Sequence, residues 1–152
     1  MYRQESPKQL SFEDFYLPFG GHLNRGNRWI RLAELIPWDE FEESYAGQFA
    51  QSGQGAPAKP FRLALGSLII KEKLDISDEE TVEQIRENPY LQFLVGMEGY
   101  RDEPLFDPSM MVHFRKRITA EMLAEINERI HAEQVKKNSK KIKQLKRSGK
   151  LS

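Results

Sequence analysis

The chain has 152 residues, 39% of them apolar and 11% aromatic, which suits one domain with a core of its own, and its lack of cysteine excludes disulfides and thiolate metal sites. Its 23 Lys and Arg match its 23 Asp and Glu, yet Gln134 to Ser152 carries eight of the basic residues and no acid, so the body is acidic and the tail basic. No apolar run is long enough to span a membrane, and Met1 to Pro7 lacks the apolar segment of a secretory leader, so a cytoplasmic protein is expected.

Residues 1–21 read as an irregular arm, because Leu10, Phe12, Phe15, Leu17 and Phe19 follow neither the helical nor the strand period. So many large apolar groups predict an arm packed on the body. The first helix is expected from Asn24 to Ile36, with Trp29, Leu32, Ala33 and Ile36 on its inner face. Pro37 interrupts it and suits the start of a second helix. There Trp38, Phe41, Tyr45 and Phe49 recur at helical spacing beside Asp39, Glu40, Glu42 and Glu43. Such a stripe suits base stacking as well as a core, but the neighbouring acids repel phosphates, so the core reading prevails.

The segment 51–60 is a loop by composition; it lacks the Gly-Lys-Ser/Thr ending of a phosphate-binding loop. A helix buried on more than one side is predicted over Phe61 to Leu74. Ser77 with Glu80 forms a capping box for a helix to about Glu87, which Asn88-Pro89 ends. Tyr90 to Val95 allows one or two helical turns, and Gly96 to Phe106 reads as a loop.

The next helix begins at Asp107, an expected N-cap, with Pro108 at the first helical position. On a helical wheel Met110, Met111, Phe114 and Ile118 form one stripe, Ser109, Val112, His113 and Lys116 lie opposite, and Arg115 and Arg117 flank the stripe. A short helix with an apolar back, a polar front and basic edges suits the DNA major groove. On geometry alone an ordinary solvated surface helix is the stronger reading. Thr119 is expected to cap the last helix, with Leu123, Ile126 and Ile130 inward, fraying into the tail. There Lys136, Lys137, Lys140 and Lys141 are candidate DNA contacts, continued by Lys143, Lys146, Arg147 and Lys150; a solvated linker is the alternative.

No segment alternates as a strand. The fold class expected is all-α: a small multi-helix domain with a helix-turn-helix-like element and a basic C-terminal tail. Catalytic signatures are thin, since His22, His113 and His131 are isolated and Asp102-Glu103 is one adjacent pair in a loop.

The segment Asn27-Arg28-Trp29-Ile30-Arg31-Leu32-Ala33-Glu34-Leu35-Ile36-Pro37-Trp38 resembles the start of bacterial insertion-sequence transposases with an InsH-like N-terminal domain. Further matches follow in order: 62–71, Asp78 to Val82, Glu87 to Gln92, and Phe106 to Ser109 continuing through His113 to Arg117. The resemblance covers roughly residues 8–133, which divides the chain into a helical domain, 1–133, and a tail or linker, 134–152.

The resemblance implies the following. Such proteins continue into an RNase H-like domain whose Asp, Asp and Glu residues bind divalent metal and cut DNA, while the N-terminal domain recognises the element's ends. The chain is then expected to be the N-terminal part without the catalytic domain, not an enzyme by itself. It needs no cofactor of its own, the divalent metal belonging to the missing domain. Its expected partner is double-stranded DNA at the element's terminal repeats. The resemblance also turns the reading of the 107–118 helix towards DNA recognition. The alternatives are an oligomerisation or inhibitory fragment, which pairs with full-length transposase or with itself through the aromatic stripe, and a degenerate remnant.

Overall fold

The computed structural model describes residues 11–52 and 60–149, with side chains 48–52 left aside. Among them lie seven α-helices: α1 Arg28–Leu35, α2 Trp38–Ser52, α3 Phe61–Leu74, α4 Asp78–Glu87, α5 Pro89–Leu94, α6 Met110–Arg117 and α7 Ala120–Arg147. The described residues form no strand, only an isolated bridge between Tyr16 and Gly99. No described helix is long and apolar enough to cross a membrane.

Local signals explain most boundaries. Asn24 accepts a hydrogen bond from the Gly26 N–H in a turn of its own, and Asn27 Oδ1 accepts from the Trp29 N–H, so α1 begins after Asn27 instead of Asn24. Ile36 is extended because Pro37 follows it. The Trp38 indole then donates to the Ala33 carbonyl at 3.0 Å, which satisfies an orphan carbonyl at the end of α1. Ser77 Oγ accepts from the Glu80 N–H, but the Glu80 carboxylate accepts from Gln84, so half of the expected capping box forms. Asn88 ends α4 and caps α5, its side chain accepting from the Tyr90 N–H above Pro89.

Helix α3 occupies the centre. Phe61, Leu63, Ala64, Leu65, Gly66, Ser67, Leu68, Ile69 and Ile70 are all buried, so this helix has no solvent face until its last turn. Helices α2, α4, α5 and α6 pack around it, and α1 packs on α5 and α7. Trp38, Phe41 and Tyr45 point into this core, which removes them from any exposed interface; the Phe49 side chain lies outside the description. The arm is only partly packed. Phe15 is buried and Phe12 and Leu17 are half-buried, but Phe19 is 93% exposed beside Gly20 and Gly21, both with positive φ. Of the loop expected over 51–60, Gln51 and Ser52 instead continue α2, and 53–59, together with Leu10 and Lys150, lie outside the described residues.

Two polar side chains stitch the helices together. Gln92 is fully buried; its Nε2 donates to the carbonyls of Ile85, Arg86 and Arg101, and its Oε1 accepts from the Arg101 N–H. One amide thus ties the end of α4 to the loop that leads to α6. Arg62 donates to the Leu94 and Phe93 carbonyls at the end of α5, with its guanidinium over the Trp38 ring at 4.6 Å.

A close approach to α3 is made at Gly66. A Cβ there would stand 2.9 Å from Val95 Cγ1 and 3.3 Å from Val95 Cα. Overpacking costs about 1–3 kcal/mol, against a helix-propensity gain of about 1 kcal/mol from replacing a glycine. Gly66→Ala should therefore lower the thermal unfolding midpoint. A raised midpoint would mean that Val95 yields and that this contact is slack.

Candidate nucleic-acid interface

The approach to α6 is a tight turn. Asp107 Oδ1 accepts from the Ser109 N–H at 2.9 Å, and this bond holds the Asp107 carboxyl below its ordinary value. Met110, Met111 and Val112 then donate to the carbonyls three residues back. Regular α-helix accordingly starts at Met110 with Ser109 as its cap, and Asp107 and Pro108 lie in the preceding turn. At the other end Ile118 is extended, and Thr119 Oγ1 accepts from the Met122 N–H to open α7.

Packing sets the rotation of α6. Met111, Phe114 and Ile118 are buried, and the Phe114 ring meets the Phe106 ring edge-on at 5.2 Å. Ser109, Val112, His113, Arg115 and Lys116 are exposed as a result. The structure thus brings Ser109, Val112, His113 and Lys116 onto one outer face of a helix whose back is anchored on α3.

The two flanking arginines are not free. Arg115 forms a two-pronged bond to Asp78 at the start of α4, at 2.8 and 3.0 Å, and Lys71 approaches the same carboxylate at 3.6 Å. The Arg115 hydrogen bond, with smaller contributions from its charge and Lys71, holds Asp78 below the ordinary aspartate value, and the Arg115 guanidinium is raised in turn. Arg117 is half-buried, and its charge offsets part of the rise that burial imposes on the Tyr45 hydroxyl.

Lys136, Lys137, Lys140 and Lys141 are exposed on α7, which runs unbroken across 133/134 to Arg147. The stretch has no Gly or Pro, and its lysines favour the C-terminal end of the helix dipole. Lys137 and Lys141 line a cleft against α1; Lys136 and Lys140 do not. Arg25, Arg28, Arg31 and Lys73 line the same cleft. Sequence reasoning passed over them; the three-residue spacing of the arginines is the one signal that marks them.

Among the described residues no group of three or more His, Asp or Glu is placed to hold a metal ion. Asp102 and Glu103 are engaged by Arg86 and Arg101.

Asp78 makes a pH-dependent contribution to stability. Its folded-state pKa is depressed, so its contribution is fully present above the unfolded value of about 4 and vanishes as pH falls through the folded value. The partial exposure of Arg115 limits the pair to about 0.5–1 kcal/mol. Asp78→Asn should be less stable than the parent by that amount at neutral pH, in urea unfolding, and the gap should close in acid. A gap that persists in acid would mean that the aspartate acts through packing.

Residues 18–117 match the transposase domain (DUF772) family. Over 104 residues the chain is 40% identical to the "Uncharacterized protein ORF8 in nfe locus" of Rhizobium meliloti, a match covering 68% of this chain and 49% of that protein. The chain therefore spans about half the length of the curated relative it matches. No solved structure matches it. With the match embracing the arm from Pro18, the core helices and all of α6, the chain belongs to the transposase domain (DUF772) family.

Proposed function

We propose that this chain is the DNA-binding N-terminal module of an insertion-sequence transposase, acting in the cytoplasm on the element's terminal repeats and cutting no DNA alone. The carrying observation is α6. In a chain of a transposase-domain family, its buried Met111, Phe114 and Ile118 fix the helix and leave Ser109, Val112, His113 and Lys116 outermost. With 8 residues, α6 is about 12 Å long, the rise of three to four base pairs.

Laid in the major groove, Lys116 donates to guanine O6 or N7, Ser109 bonds to either base type, and the Val112 side chain meets a thymine methyl. His113 supplies a further polar contact. Arg115 and Arg117 stand at the edges, where phosphates run. Arg115 is held by Asp78 in the free protein, so a phosphate contact from it requires sharing or leaving that carboxylate.

The test compares duplexes carrying an element end with scrambled duplexes by fluorescence anisotropy. Lys116→Ala should weaken end binding by about 1–3 kcal/mol and leave scrambled binding unchanged. Arg117→Ala, once shown to be folded, should weaken both alike and flatten the salt slope by about one unit. If both folded variants bind both duplexes like the parent, α6 does not read DNA. Incubation of the parent with element-end DNA and Mg²⁺ or Mn²⁺ should give no nicks; reproducible nicking would refute the inactivity.

A further inference from the structure

The cleft between α1 and the second half of α7 has a volume of about 950 Å³ and is floored in part by Trp29 and Leu32. Six basic side chains line it: Arg25, Arg28 and Arg31 on one wall, Lys137 and Lys141 on the other, and Lys73 from the last turn of α3. Among the described residues, Glu34 is the single acid in the lining.

The charge arrangement differs from that around several other arginines. Elsewhere Arg86, Arg101, Arg115 and Arg129 are each paired with a carboxylate. In the cleft none of the six cations forms an ion pair among the described residues, although the whole chain is neutral and has acids to spare for them. The Arg28 guanidinium lies over the Trp29 ring at 4.8 Å, which orients it without neutralising it. Gln134 and Asn138, on the same face of α7 as Lys137 and Lys141, add amide donors. Two facing walls of cations and amides, joined by an apolar floor, suit a linear polyanion.

We propose that this cleft grips the sugar-phosphate backbone of double-stranded DNA without reading its sequence, as a site separate from the outer face of α6. The inference rests on the DNA-binding reading above and adds to it a second contact, built from α1, α3 and α7. It also divides the basic tail. Lys137 and Lys141 belong to the cleft; Lys136 and Lys140, one position away on the same helix, do not.

That division supplies the test. Lys137→Ala/Lys141→Ala and Lys136→Ala/Lys140→Ala remove the same charge from neighbouring positions of one exposed helix. The full chain and both variants are titrated with a random-sequence duplex and with an element-end duplex across a salt series. The first pair should lose about tenfold or more on both duplexes alike and flatten the salt slope by about two units. The second pair should lose less than about threefold. Arg28→Ala/Arg31→Ala should reproduce the first pair. Equal losses from the two lysine pairs would overturn the cleft, since they would mark a diffuse charged tail. A changed preference between duplexes would overturn it too. So would an altered sedimentation coefficient of the free protein in the first pair, which would mark the cleft as a seat for an acidic protein segment. Parent binding to random DNA without preference for element ends, with the lysine pairs still separating, sinks the recognition reading and leaves the cleft standing. No parent binding to any DNA sinks both.

Discussion

A helix buried on all sides must be surrounded, and α3 sets the rest of the molecule by that requirement. From Phe61 to Ile70 only Arg62 is not buried, and its guanidinium is itself turned onto the carbonyls of α5 and the ring of Trp38. Neighbouring helices have to bring apolar stripes to every side of α3. Those stripes in turn decide which of their residues face outward. Gly66 shows how close the approach is, since its missing side chain is the space that Val95 fills. The outward rotation of Ser109, Val112, His113 and Lys116 on α6 is therefore a consequence of burying Met111, Phe114 and Ile118 against the core.

Rotation alone does not locate α6, and two polar ties complete the placement. Gln92 holds the Arg101 backbone from both its N–H and its carbonyl, which anchors the long connection between α5 and α6. Asp78 then receives Arg115 from α6 and Lys71 from α3. The two ties differ in kind. Gln92 is buried, so leaving its partners unpaired would carry a desolvation penalty of about 1–3 kcal/mol for each orphaned group. Asp78 and Arg115 are partly exposed, so their attraction is weaker and responds to salt and acid. The loop is fixed by the stronger tie, and the basic edge of α6 by the adjustable one.

The sequence displays these relations unevenly. Helix α3 was legible to its end residues, because a run of apolar residues closes at Asp75, which adopts the left-handed conformation. The wheel of α6 was legible as well, since its period is local. Boundaries were less so where two caps compete, as with Asn24 and Asn27, or where a turn precedes the helix, as at Asp107 and Pro108. The arm was misjudged at Phe19, which composition placed against the body and which stands 93% exposed. What sequence could not display are partners distant along the chain. Arg115 and Asp78 are 37 positions apart, Arg62 and Leu94 32, and no periodicity links them. The cleft is the extreme case, for its cations come from the turn before α1, from α1, from the end of α3 and from α7.

The last turn of α3 bears on how the two basic surfaces relate. Lys71 leans towards Asp78 and through it meets the Arg115 edge of α6, whereas Lys73 lines the cleft. Two positions apart on a helix point roughly opposite ways, so one turn carries one cation to each surface. On the α6 side the cation is shared with a carboxylate; on the cleft side, among the described residues, it is not. Clustered like charges disfavour the folded state unless something of opposite sign meets them, and a neutral chain has no shortage of acids to do so. Several acids lie instead on α2 and the start of α4, where they complement helix N-termini and engage Arg129 and Arg115. The consequence is a segregation of charge. Around α4, Lys71, Arg86 and Arg115 meet carboxylates in ways that help fix helix positions. Those between α1 and α7 form no ion pair among the described residues.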